Sequence, residues 1–312
     1  MSAISNMEIY KNDDDISETS PKNNNRGSAW KPFPHRELND WVPFWEKLVF
    51  LILGYFGFQL IGTLLSIPLS YLSKSNANLA NALMTFLSYF LLILAFLALL
   101  FFDKRKTYRR LFKGFKDPKT YVYGALGIVA TYLMSFVFDS IYKASVPDIY
   151  GNNNNQQSVE SIIKSYPALA FFPIVIFAPF CEELTYRVGL VDTIGHKKKN
   201  LWLGILLCGL IFGLIHFDWS AILNYYKVLD GGSTETVKTA YDLMINELLN
   251  LPIYCLSGII LALIYTMSGN ISASMVTHLL NNLLSFLVFF IPTSSVVFSQ
   301  GDFFTLFLRI IK

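Results

Sequence analysis

The chain has 312 residues, of which 53% are hydrophobic, 16% are aromatic and only 15% are charged. Soluble domains typically carry about 25% charged residues, and the mean hydropathy of +0.43 is high for a protein surrounded by water. This composition excludes a disordered chain and a disulfide-rich secreted module. The net charge of +3 is too small to favour a nucleic-acid partner. A membrane protein or an unusually apolar soluble protein remains.

The N-terminal segment, residues 1–44, is polar and rich in Asn, Ser, Asp and Lys. We predict that it forms a disordered cytoplasmic tail. Within it, the segment 30–41 contains two Trp and two Pro, and Trp favours the membrane interface. No apolar run opens the chain, so we expect no cleavable signal peptide. Residues 45–312 are predicted to form a single transmembrane domain.

Seven apolar runs follow, and crossing a bilayer core of about 30 Å takes about 20 such residues. The first two runs contain no charged residue, and the chain lacks the polar helices that a soluble protein would need to cover them. The sequence therefore predicts an all-α, polytopic transmembrane helix bundle with seven to eight membrane helices. The runs lie at 48–72, 79–102, 120–142, 165–191, 201–217, 250–268 and 271–291, with a partial or interfacial eighth at 302–311.

The loops predict the orientation of the bundle. The loop 103–119 is rich in Lys and Arg, and the loop 192–200 contains three consecutive lysines. The loops on the other side contain few basic residues. Because Lys and Arg favour the cytoplasmic side, we expect both basic loops and the N-terminus to be cytoplasmic, in a multi-pass protein of the cell membrane.

Two polar segments are expected on the outer side. Residues Asn152–Gln157 form a short low-complexity stretch, which we interpret as a linker. The longer loop 218–249 contains a part, 236–249, whose apolar residues recur at helical spacing. That part is predicted to lie on the membrane surface.

The informative residues are the ionisable ones inside the apolar runs. A charge at the bilayer centre costs about 2.5–3.5 kcal/mol even on lenient scales, so such residues are functional candidates. They are confined to three runs: Glu182, Glu183 and Arg187 in the fourth, His216 in the fifth, and His278 in the seventh, where Asn281 and Asn282 follow.

Helical spacing groups these residues. Glu183 and Arg187 stand at i, i+4 and are expected to form an ion pair. Glu182 lies about 100° around the helix and has no such local partner, so it is the carboxylate left free to act. His278 and Asn282 also share one helix face. We therefore expect a carboxylate, two imidazoles and an amide to project into one cavity.

This set predicts hydrolysis without a Ser or Cys nucleophile. A buried Glu can take a proton from water, a His can assist it, and an Asn or a second His can stabilise an oxyanion. The alternative is that these groups have a structural role and hold the helices together by hydrogen bonds between them. Zinc held by Glu182, His216 and His278 is a further alternative, against which the absence of the HExxH spacing counts. We expect no cofactor.

Three motifs carry a family resemblance. Glu182 to Arg187 reads EExxxR, Phe212 to His216 reads FxxxH, and His278 to Asn282 reads HxxxN. In this order, on separate apolar helices, they resemble the CPBP family of CAAX proteases and bacteriocin-processing enzymes, also called Abi proteins. The resemblance covers about residues 160–292.

The resemblance implies an all-helical intramembrane glutamic endopeptidase whose cavity opens toward the cytosol. It implies that Glu182 activates water with assistance from His216, and that His278 and Asn282 stabilise the oxyanion. Glu183, Arg187 and Phe212 are implied as supporting residues. The implied partners are a peptide or lipidated protein substrate and the lipid bilayer, with no nucleic acid.

Two features of the sequence differ from this expectation. Val188 stands where many members of the family have Gly. In straight helices at about 1.5 Å per residue, Glu182 and His216 lie roughly 20–25 Å from the loop near 195–199, whereas His278 lies only about 10 Å from the turn before its own helix. Tilted helices, or a last helix that begins below the bilayer surface, would bring them to one depth.

Two other functions fit the same composition. The chain could be a non-catalytic scaffold or immunity protein that binds a peptide or a membrane sensor, since a fold does not establish an activity. It could also be a transporter with a Glu/His proton relay. The absence of an inverted repeat from the sequence counts against the transporter.

Overall fold

The computed structural model describes residues 42–102, 107–195 and 200–290, and all regular structure within these ranges is helical. These residues lie in one compact unit, Phe33–Lys312. Nearly all of the predicted tail and the short run 302–311 lie outside the described residues. The predictions for those two segments, and for a domain boundary at residue 44, therefore stay predictions.

Ten helices make up the described residues, most of them joined by short connections. In chain order they are α1 (Phe44–Ser75), α2 (Ala77–Phe102), α3 (Thr107–Gly114), α4 (Pro118–Ser145), α5 (Asn154–Ser165), α6 (Pro167–Ile194), α7 (Leu201–His216), α8 (Trp219–Leu229), α9 (Thr234–Ser268) and α10 (Ile271–Val288). Three stretches are π-helical: Leu53–Gly57 in α1, and Phe172–Phe177 and Leu184–Val191 in α6.

The predicted multi-pass helix bundle is confirmed. Six of the described helices are long and apolar enough to cross a membrane: α1, α2, α4, α6, α9 and α10. The pair α7 and α8 bends by 55° and would supply a seventh span. Large apolar side chains such as Leu64, Ile67, Val129 and Leu206 are exposed on the outside of the bundle, as expected for surfaces that face lipid.

Small residues allow a close helix contact between α7 and α9. A Cβ atom added at Gly209 would lie 2.7 Å from the carbonyl oxygen of Cys255, and one added at Gly213 would lie 2.3 Å from the Cys255 Sγ. On α9, Gly258 approaches the Cα of Gly209 in the same way. Gly209 and Gly213 form a GxxxG pattern, which lets membrane helices pack backbone to backbone.

The helical spacing of residues 236–249 is confirmed, and these residues form the first part of a longer helix. The segment 236–249 is not a separate surface helix, because α9 runs without a break from Thr234 to Ser268. The helix continues through Pro252, which lies at the start of the apolar run that follows. Its polar residues Asn246 and Glu247 are buried against other outer segments. At about 1.5 Å per residue, the 35 residues of α9 extend about 52 Å, well beyond a bilayer core.

In straight helices, His278 would lie at a different depth from Glu182 and His216. The position of the turn before α10 removes this difference. The α9 helix ends at Gly269, whose φ of +68° is left-handed and therefore suits Gly. Asn270 donates to the Thr120 hydroxyl at 2.8 Å, and Ser272 donates to the carbonyl of Leu111 in α3 at 3.0 Å. The turn is therefore covered by α3, so α10 begins beneath another helix and places His278 at the level of the glutamates.

Candidate active site

The centre of the bundle contains a buried ion pair between Glu183 and Arg187. Arg187 Nη2 donates to Glu183 Oε1 at 2.9 Å, and Arg187 Nε lies 2.9 Å from Oε2. Both side chains are fully buried. The guanidinium also donates to the Sγ of Cys208 at 3.0 Å and lies 5.4 Å from the ring centre of Phe212. The expected i, i+4 pair is therefore present, and it connects α6 to α7.

His278 on α10 lies between the two glutamates. Its Nδ1 is 3.0 Å from Glu183 Oε1. Because a carboxylate only accepts hydrogen bonds, Nδ1 is the donor. The other ring nitrogen, Nε2, lies 3.9 Å from Glu182 Oε2. The imidazole therefore holds the buried ion pair with one nitrogen and faces the second carboxylate with the other.

Glu182 is placed differently from its neighbour. Its Oε1 accepts a hydrogen bond from the hydroxyl of Tyr89 on α2 at 3.0 Å. Its Oε2 has no hydrogen-bond partner among the described residues. The Glu182 side chain is 14% exposed, whereas that of Glu183 is 0% exposed. One face of α6 thus buries a neutralised carboxylate, and the adjacent face presents a carboxylate that retains an accepting oxygen.

His216 stands at the last residue of α7. Its Nδ1 lies 2.7 Å from the carbonyl of Phe212, one turn earlier, and donates to it. The imidazole is stacked on the ring of Tyr254 from α9, with centroids 4.8 Å apart and planes 10° apart. This arrangement fixes the plane of the ring and leaves Nε2 as the nitrogen available to a ligand or to water.

Asn282 lies one turn after His278 on α10. Its Nδ2 donates to the carbonyl of Ile174 at 2.9 Å, and its Oδ1 accepts from Asn281 at 3.3 Å. The carbonyl of Ile174 belongs to a π-helical stretch of α6. An amide nitrogen has two N–H groups, so one donor remains for a ligand. The proposed oxyanion role of Asn282 stays a prediction.

One cavity of about 410 Å³ brings the candidate residues together. Glu182, His216, His278 and Asn282 all line it, and so does Phe212. Glu183 and Arg187 do not line it and lie behind its wall. The residues predicted to act and the residues predicted to support them therefore separate into a lining layer and a buried layer.

The first two helices complete the cavity, although none of the residues that they contribute to its lining is charged. Tyr89, Thr85 and Leu92 of α2 line one wall, and Gly54 and Tyr55 of α1 line another. A Cβ atom at Gly54 would lie 1.8 Å from the Thr185 hydroxyl, so α1 crosses α6 with almost no separation. A Tyr in an apolar run resembles any core residue, and the sequence contains no signal that would single out Tyr89.

The interpretation of Asn152–Gln157 as a linker is wrong. Asn153 caps α5 and accepts from the Tyr254 hydroxyl at 3.2 Å. The buried carboxylate of Glu247 accepts from the backbone N–H groups of Asn154, at 2.7 Å, and of Asp218, at 3.2 Å. The polar stretch thus connects the starts of α5 and α8 to α9. The available signal for this cluster was Glu247, which stands between the apolar stretches Leu243–Ile245 and Leu248–Leu249.

A second acidic group lies at the same end of the bundle. Asp139, near the end of α4, is buried and accepts a hydrogen bond from the hydroxyl of Tyr150, and both residues line the cavity. Burial and the neighbouring carboxylate raise the pKa of Tyr150 well above its usual value. The hydroxyl therefore keeps its proton and remains a donor to Asp139.

Glu182, His216 and His278 were the sequence-predicted candidates for a zinc site. Within the described ranges, no three His, Cys, Asp or Glu side chains are grouped closely enough to hold a metal ion. His278 Nδ1 and His216 Nδ1 are both engaged in hydrogen bonds. The expectation that the protein needs no cofactor stays a prediction.

Comparison with known families supports the resemblance. Residues 164–284 match the family model described as Type II CAAX prenyl endopeptidase Rce1-like. The matched segment contains all three motifs, and it confirms the resemblance to the CPBP and CAAX protease family. It does not reach α1 to α4, which supply Tyr89 and Gly54. Comparisons with curated proteins and with solved structures found no match.

The two adjacent glutamates are expected to differ in their effect on stability. Replacing Glu183 by Gln leaves the fully buried Arg187 uncompensated, and such changes cost about 3–5 kcal/mol. Replacing Glu182 by Gln preserves an acceptor for Tyr89 and removes no cation partner. Thermal unfolding of the detergent-purified variants, followed by size-exclusion chromatography, measures both effects. Equal losses of stability in Glu182→Gln and Glu183→Gln would contradict this assignment.

Proposed function

We propose that this chain is a metal-independent intramembrane endopeptidase of the glutamic type, which cleaves a peptide or lipidated protein. The observation that carries the proposal is the shared cavity, in which Glu182 presents a carboxylate oxygen beside three potential partners. The family match supports a CAAX-type protease. The water-activation mechanism and the roles of individual residues are our own inference.

Two acceptors are suited to hold a water molecule. Glu182 Oε2 and His278 Nε2 are 3.9 Å apart, so one water can lie within hydrogen-bond distance of both. In the reaction, Glu182 takes a proton from this water, and the hydroxide oxygen bonds to the carbonyl carbon of the substrate. Glu182 then returns the proton to the leaving nitrogen as the C–N bond breaks. His216, held in plane by Tyr254, assists this proton transfer.

The oxyanion is stabilised from the α10 side of the cavity. His278 Nδ1–H is donated to Glu183 and its Nε2 accepts from the water, so in this step His278 holds the water and Asn282 is the donor to the oxyanion. Asn282 supplies its second amide N–H. Preorganised donors of this kind contribute about 10²–10³ in rate.

Replacing Glu182 by Gln is expected to abolish cleavage without unfolding the protein. A general base contributes about 10²–10⁴ in rate, and the amide retains the shape of the side chain. The measurement is cleavage of a farnesylated peptide with a C-terminal CAAX sequence by the purified protein, with His216→Ala as a second variant. Mass spectrometry of membrane peptides from cells with wild-type protein or Glu182→Ala extends the test to natural substrates. Wild-type turnover by folded Glu182→Gln would refute the proposal.

Tyr89→Phe is expected to lower kcat about tenfold and to leave KM unchanged. The hydroxyl orients Glu182, and hydrogen bonds to charged groups contribute about 1.5–3 kcal/mol. The matched control is Tyr55→Phe, because Tyr55 lines the same cavity and its hydroxyl makes no hydrogen bond to the described residues. Steady-state kinetics distinguish the two variants. An equal change in both would show that the hydroxyl of Tyr89 has no specific role.

A further inference from the structure

His216 stands at a break between two helices. It is the last residue of α7, and the chain bends by 55° between α7 and α8. Phe217, which follows it, is extended, with φ −84° and ψ 128°. The carbonyl group of a last helical residue has no partner inside its own helix. The backbone and the ring of His216 therefore need contacts from other elements to hold one position.

Asn153, the residue that caps α5, is connected to both the backbone and the ring of His216. Its Nδ2 donates to the carbonyl of His216 at 3.4 Å. Its Oδ1 accepts from the hydroxyl of Tyr254 at 3.2 Å, and the ring of Tyr254 is stacked on the imidazole. Asn153 is only 1% exposed. One buried amide thus reaches the proposed catalytic histidine by two routes.

Glu247 of α9 holds the other side of the same break. Its Oε2 accepts from the backbone N–H of Asp218, two residues after His216, at 3.2 Å, and from Asn153 Nδ2 at 3.5 Å. Its Oε1 accepts from the backbone N–H of Asn154 at 2.7 Å. The carboxylate therefore lies at the N-termini of α5 and α8, where free N–H groups and the helix dipoles favour negative charge. We call Asn153 and Glu247 the helix-end clamp.

The helix-end clamp stands outside the cavity. Tyr254 and His216 line the cavity, whereas Asn153 and Glu247 do not. The clamp can therefore affect a bound substrate only through another side chain. Asn153 also precedes the segment 164–284 that matches the family model, so the family match gives it no role.

We propose that Asn153 and Glu247 are positioning residues that act through His216. By fixing the end of α7 and the plane of the imidazole, they keep Nε2 of His216 turned into the cavity. The inference rests on the proposed function for the part that His216 takes in proton transfer. The positioning itself depends only on the contacts among the clamp, Tyr254 and His216.

Two variants disconnect the clamp from His216. In Asn153→Ser, the serine can still accept from the backbone N–H of Gln156 and cap α5. Its side chain is too short to reach both Tyr254 and the carbonyl of His216. Tyr254→Phe is the smaller change, because it retains the stacked ring and removes only the hydroxyl.

The matched control is Asn246→Ser. Asn246 accepts from the backbone N–H of Gly151 at 2.9 Å and donates to the carbonyl of Asn152 at 3.2 Å. It therefore joins the same loop to α9, and it is buried, but it has no hydrogen bond to His216 and does not line the cavity. Thermal unfolding shows that each variant is folded.

Nitrogen-15 NMR of histidine-labelled protein in detergent tests the positioning without requiring catalysis, with His216→Ala to assign the signals. In the wild type, the two ring nitrogens of His216 are expected to give separate signals of one tautomer, with the proton on Nδ1. Asn153→Ser and Tyr254→Phe are expected to broaden or merge these signals, because the ring then samples several orientations. Asn246→Ser is expected to leave them unchanged.

Cleavage of the CAAX peptide supplies the second readout. Because a misplacement of about 1 Å can cost about 10²-fold in rate, Asn153→Ser is expected to lower kcat at least about tenfold and to leave KM unchanged. His216 signals that stay unchanged in both clamp variants, or that change equally in Asn246→Ser, would overturn the proposal. So would a loss confined to KM. If the signals change as expected and the wild type cleaves no peptide, the proposed function fails while the clamp stands.

Discussion

The buried ion pair between Glu183 and Arg187 is the constraint on which the site depends. Both charges are fully removed from water, and each would be costly without the other. The pair contacts Cys208 and Phe212 on α7 and His278 on α10. Three membrane helices are therefore fixed to one another at a single level, in a medium where the hydrophobic effect between helices is weak.

This constraint assigns different roles to two adjacent, chemically identical side chains. Because successive residues point about 100° apart on a helix, burying Glu183 against Arg187 turns Glu182 toward the cavity. The pair also holds Nδ1 of His278, which aims Nε2 at Glu182. The positions of the proposed base and of its partner thus follow from a pair that never touches the substrate. The π-helical stretches beside it in α6 and α1 are the kind of irregularity often found at functional sites.

Much of this arrangement could be predicted from the sequence. Apolar runs of about 20 residues predict membrane-spanning helices. A glutamate and an arginine at i, i+4 inside such a run predict an ion pair, because either charge alone would be costly in the membrane. Tyr89 could not be predicted, because its importance depends on which helix face meets α6. The role of Asn152–Gln157 was missed because a polar stretch outside a span resembles a linker until its partner Glu247 is known. The depth of His278 in the membrane could not be predicted from the sequence either, because it depends on α3 covering the turn at Asn270.

Chemical modification of carboxylates tests the central distinction most directly. The hydrophobic reagent dicyclohexylcarbodiimide reacts with carboxyl groups in apolar sites, and fragmentation mass spectrometry separates adducts on adjacent residues. The account predicts an adduct on Glu182 of the folded wild-type protein and none on Glu183, whose two oxygens are held by Arg187 and His278. Modification of Glu183, or equal modification of both, would contradict the account.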